Sequence, residues 1–144
     1  MSIEASVALQ AAIYEALRTS PALSGLVGDA VYDAMPVAAP AGTYVALGPE
    51  DVADAGDMTG GGARHDFIVS VLSGAEDTGG FGPVKAAAAA VVAALEENGA
   101  VILEHGHLAG LWFVGARARR TDGGAGRRVD MTFRARIDLG LRAA

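Results

Sequence analysis

Arginine is the residue type with the clearest capacity for chemistry in this sequence, and it is concentrated at one end. Residues 101–144 hold eight arginines against four acids, whereas residues 1–100 hold three basic groups (Arg18, Arg64, Lys85) against thirteen acids; the chain as a whole has a net charge of −6. A guanidinium fork recognises carboxylates and phosphates. The stretch RRTDGGAGRRVDMTFRARIDLGL, with six of the arginines, therefore faces nucleic acid, acidic protein or water. A nucleic-acid-binding chain is ordinarily basic overall, and this one is not. An uneven charge split suggests that one half meets the other, in the same chain or between copies.

Other residues with chemical potential form weaker patterns. His105-x-His107 would set two imidazoles on one side of a strand, but no third ligand has a suitable spacing, so a surface loop is the simpler reading. GGFGPVK, residues 79–85, resembles a phosphate loop but lacks a glycine immediately before the lysine and a Ser or Thr after it; a flexible entry to a helix is the better reading. Asp57, Asp66, Glu76 and Asp77 have no spacing that fixes an acid–base pair, so solvated loops are the default. The sequence contains no GxSxG or HExxH pattern. It has no cysteine, which excludes disulfides and thiolate metal sites. The expectation is a protein that is not an enzyme and uses no metal or cofactor.

The elements that would position the arginines are legible from periodicity. The length suits one domain with a real core, and 51% apolar residues argue against disorder. The N-terminal residues lack a basic stretch before an apolar one, so no signal peptide is expected. The most apolar run, 86–95, is too short to span a membrane. Leu9, Ile13, Ala16 and Leu17 fall on one face of a predicted helix over 3–18. Ser20-Pro21 reads as an N-cap with proline in the first turn, opening a short helix. Residues 31–35 read as extended or irregular, held out of helix by Pro36 and Pro40. A short strand is predicted over 43–47. Residues 48–64 read as a long polar loop with four acids, Glu50, Asp51, Asp54 and Asp57, and a loop of that length is often functional. Residues 66–73 read as a central strand, apolar on both faces. A helix from Pro83 stops at Asn98-Gly99, and two strands, 110–120 and 127–139, flank a hairpin signal at Asp122-Gly123-Gly124. This order predicts an α+β fold over 1–144: a mostly antiparallel four-stranded sheet with two main helices packed on one face.

Alternation in the last strand puts Val129, Met131, Phe133, Ala135, Ile137 and Leu139 on the helix side, and Asp130, Thr132, Arg134, Arg136 and Asp138 on the other. Pairing Val114 with Phe133 sets Ala116 opposite Met131, Arg117 opposite Asp130 and Arg119 opposite Arg128. The last pair needs an acid nearby. This register gives an outer face of Arg117, Arg119, Arg128, Arg134 and Arg136 with Leu111 and Phe113, a mixture typical of protein interfaces. The expected counterpart is the acidic loop or an acidic surface of a partner, either a neighbouring copy or another protein.

Taken in order, these segments resemble one family. ALQAAIYEALRTSPALSGLVGDAVYDAMP, then GTYVALG, an acidic loop, ARHDFIVSVLS, the alanine-rich VKAAAAAVVAAL and the arginine hairpin are together similar to the tail terminator, or tail completion, proteins of long-tailed bacteriophages. The alanine, glycine and arginine bias is similar to the version in gene transfer agents. The resemblance implies a homohexameric ring in the neck of a virion or phage-like particle, assembled in the bacterial cytoplasm, with the tail tube protein and a head-side connector or stopper protein as partners. DNA would pass through the lumen without specific binding, no membrane would be involved, and no catalytic residue carries over. A head-completion or connector protein, and a small nucleic-acid-binding module, are the competing readings.

Overall fold

The computed structural model describes residues 3–55, 60–97 and 101–141. Two helices open the chain: α1 (Glu4–Arg18) and α2 (Pro21–Val27). The α2 N-cap works as its sequence implies, with Leu23 N–H donating to the Ser20 hydroxyl at 3.2 Å and proline in the first turn, which satisfies a helix-end donor with no intrahelical acceptor. The first strand, β1 (Val31–Tyr32), is followed by β2 (Tyr44–Asp54) and β3 (Gly60–Leu72). Helix α3 (Gly82–Glu96) precedes β4 (His107–Thr121) and β5 (Gly126–Leu141). Asp122–Gly124 forms a single 3-10 turn between the last two strands. Asp122, Gly123 and Gly124 all have positive φ there, a conformation that Asp tolerates and Gly adopts freely.

The sheet has five strands, in the order β1-β2-β3-β5-β4. The α+β class is therefore as the sequence implies, but the strand count is corrected. The added strand is the two-residue β1, which pairs in parallel with β2 through Val31–Val45 and Tyr32–Ala46. All other pairings are antiparallel. Two residues are too few to show an alternation, which is why 31–35 reads only as extended or irregular.

The helices cover one face of the sheet. Leu9, Ile13 and Leu17 of α1 and Val84, Val91 and Leu95 of α3 pack over Val45, Val69, Val71, Val129, Met131, Phe133 and Ile137. Phe133 is fully buried between a stacked Phe67 (5.6 Å between ring centres) and an edge-on Phe113 (5.8 Å). The alanines of α3 that face the core, Ala87, Ala88 and Ala94, let the helix lie close to the strands. Burying each large apolar side chain contributes about 1.5–3 kcal/mol, so this inner face is the main source of stability.

The predicted polar loop over 48–64 is largely strand. β2 runs on to Asp54 and β3 begins at Gly60, the two continuing as a hairpin paired through Asp54 and Ala63. An irregularity between Leu47 and Glu50 shifts the alternation by one. It turns Glu50 toward the helix side, where α1 meets it: the Ser6 hydroxyl donates to Glu50 Oε1, and His65 Nδ1 lies 2.7 Å from Glu50 Oε2. Polar residues look like loop when their partners, here a helix and the next strand, are distant in sequence. The predicted stop at Asn98-Gly99 lies outside the described residues.

Candidate functional site

The face of the sheet away from the helices carries the arginines, as their alternation implies. Three carboxylates organise it. Asp66 receives a two-pronged contact from Arg134, Nε to Oδ1 at 2.7 Å and Nη2 to Oδ2 at 3.1 Å, with Arg64 at 3.8 Å. Asp130 accepts from Arg128 Nε at 2.7 Å and from the buried Ser70 hydroxyl at 2.6 Å, and Arg119 lies 3.5 Å away. Asp138 accepts from Arg136 at 3.2 Å.

These contacts set the charge state of the face. The Arg134 hydrogen bond holds the Asp66 carboxyl below its usual range, against a smaller opposing effect of burial. Arg134 is raised in turn, chiefly by the same bond. For Asp130, burial is the largest single influence and pushes upward. The hydrogen bonds from Ser70 and Arg128, together with the charges of Arg128 and Arg119, outweigh it and leave the carboxyl lowered. Both acids thus stay ionised into acid conditions, and the face is a lattice of alternating charge.

The predicted register holds at one end of the final hairpin and fails at the other. Ala116–Met131, Arg117–Asp130, Ala118–Val129 and Arg119–Arg128 pair as expected. The acid required by Arg119 and Arg128 is Asp130 of the same hairpin, not the acidic segment. Beyond this, Val114 is an extra residue in a bulge between Phe113 and Gly115, so that Phe113, not Val114, lies opposite Phe133. Leu111 and Phe113 are therefore on the helix side, packed against the core, and not among the arginines. Trp112 takes the outer position, level with Arg134. Its ring lies over Gly110, where an added Cβ would come within 2.5 Å of it.

The acidic residues expected to dock on this face are dispersed. Glu50 is turned inward to Ser6 and His65. Asp51 lies level with Asp66, where it adds negative charge beside an acid already paired. Asp54 ends β2, and Asp57 lies outside the described residues. Asp66, by default a solvated loop acid in the sequence, is on β3 and paired with Arg134; the alternation of the central strand does put it on one face with Ser70. What a single strand cannot show is that β3 adjoins β5.

Among the described residues these contacts form no catalytic constellation. An open hollow of about 670 Å³ is lined by the end of α3 and by residues 101–103 and 106–111. His107 is on it, but among the described residues no three His, Cys, Asp or Glu side chains are grouped to hold a metal, and no helix is long and apolar enough to cross a membrane. A buried polar cluster around Glu50, a layer of three phenylalanines and a charged face neutralised largely within the chain characterise this small α+β protein. The chain belongs to the tail completion protein gp17 family, whose model matches residues 11–138. Membership makes it a structural protein of the tail. It is similar at 53% identity to a chain in a solved structure described as the virion of a native gene transfer agent particle, with a TM-score of 0.85 over 95% of this chain and 99% of that one. No curated protein matches the sequence significantly.

Proposed function

We propose that the protein forms a homohexameric ring that caps the tail tube of a gene-transfer-agent-like particle, ends tube polymerisation and joins the tail to the head-side connector. The observation that carries this reading is the family match over nearly the whole chain, joined to the likeness with a chain of a gene transfer agent virion. The charged face supports it physically. Most of its guanidinium groups are occupied by the protein's own carboxylates, and binding to DNA phosphate grows with the number of free cations. A ring of subunits each carrying −6 is suited to a conduit through which DNA slides without being held.

The test is deletion of the gene followed by electron microscopy of the particles. Unjoined heads together with tubes of irregular or excessive length are expected. Tubes of normal length with unjoined heads would transfer the protein to the connector role, and normal tails on normal heads would remove it from the neck altogether.

A further inference from the structure

The sheet ends in two edges of opposite character. Among the described residues β4 has β5 on one side and no strand on the other, and a long uncovered edge strand invites pairing with another chain. Along it Trp112, Phe113 and Val114 are 44%, 39% and 50% exposed. Arg117 and Arg120 are the arginines that have no carboxylate, carbonyl or ring partner among the described residues. At the other edge, β1 is flanked by Asp29 and Asp33. Both are exposed, and their carboxylates have no partner among the described residues. Met35 and Val37 follow, both exposed. Each edge thus combines unpaired charge of one sign with uncovered apolar surface.

The pairings place these features at one level of the sheet. Tyr32 pairs with Ala46, Ala46 with Ser70, Ser70 with Asp130, and Asp130 with Arg117. The next row runs from Val31 through Val45, Val71 and Val129 to Ala118. The acids that flank β1 therefore lie across the sheet from the free arginines of β4. Neighbours in a closed ring are related by rotation without displacement along the axis. If the strands run along that axis, the same level of the two edges meets. β4 and β1 also run in opposite directions, which continues the antiparallel order.

We infer that neighbouring copies meet edge to edge, residues 112–120 of one copy against residues 29–37 of the next. This rests on the ring reading above and names its two surfaces. The contact is heterologous, because each copy offers a cationic edge to an acidic one, and repetition by rotation closes a ring. Opposed charges also fix the order of the edges, because two like edges repel.

The test uses the full chain in the deletion strain. One variant carries Arg117→Glu and Arg120→Glu, another Asp29→Arg and Asp33→Arg, and circular dichroism checks that both fold. Each alone has two edges of one sign and is expected to lower incorporation into particles at least about tenfold, since juxtaposed like charges are strongly unfavourable. Expressed together they are expected to restore incorporation, because one variant then has two acidic edges, the other two basic ones, and they can alternate around the ring. All four substitutions in one chain should restore it as well. Folded variants that incorporate normally on their own, or that fail both singly and mixed, would overturn the edge assignment. Failure of the ring reading itself has a different signature, normal particles in the deletion strain before any variant is supplied.

Discussion

Asp130 holds together three side chains from three strands: Ser70 on β3, Arg128 beside it on β5 and Arg119 on β4. Asp130→Ala leaves the buried Ser70 hydroxyl without its carboxylate acceptor and sets Arg119 against Arg128 with nothing between them. A loss of about 1–3 kcal/mol is expected, measured by urea unfolding; an unchanged midpoint would mean that water replaces the carboxylate at no cost. Asp66 and Asp130 also set the response to acid. Their folded-state pKa values lie below the unfolded ones. The stabilisation is therefore complete above the ordinary carboxylate range and is lost as pH falls through the lowered values. The melting temperature should drop on acidification from about pH 5 downward, and by less in Asp66→Asn, which has already lost that linkage. A parallel decline in the two proteins would assign the acid sensitivity elsewhere. Arg134 and Arg136 are poor probes of an outside partner, because changing them to Glu breaks contacts to Asp66 and Asp138 within the chain.

At the scale of elements, bulges decide which side chains meet the core. The alternation of β5 is unbroken from Arg128 to Asp138, and its two rows, the hairpin turn and the pairing of Arg117 with Asp130 were all legible in the sequence. The bulge at Val114 was not, because an extra residue in one strand leaves no mark on local composition and is revealed only by what lies opposite. It moves Leu111 and Phe113 inward and Trp112 outward. The same reason hid the inward turn of Glu50, whose partners Ser6 and His65 come from α1 and β3. The bulge gives opposite outcomes for two similar substitutions. Leu111→Arg should destabilise by about 2 kcal/mol or more, since it buries a charge against the core, whereas Val114→Arg should stay within about 0.5 kcal/mol as a surface change. The unbulged register predicts the reverse order, so thermal melts of the two variants decide between them. Phe133→Ala removes the ring between Phe67 and Phe113 and should cost about 3–5 kcal/mol. A loss below 1 kcal/mol in the same urea assay would show that the aromatic layer is loosely packed.

For the whole molecule, the uneven charge of the sequence becomes a division of labour. Asp66 and Arg134 neutralise one another across two strands, the last hairpin supplies Asp130 and Asp138 for its own arginines, and the free arginines of β4 and the acids flanking β1 lie at opposite edges. The charge split pointed to contact between the halves, and one such contact lies inside the chain, from Asp66 to Arg134. Order along the chain made the family legible even where single motifs were diffuse. The surfaces proposed to join neighbouring copies were not legible, because they depend on the strand order that brings β1 and β4 to opposite ends of the sheet. The measurement that bears most directly on the central claim is formaldehyde crosslinking within intact particles, resolved by size and detected with an antibody to this protein. The ring account predicts a ladder of adducts that ends at the hexamer. A ladder that stops at the dimer, or adducts to other proteins with none between copies of this chain, would contradict it.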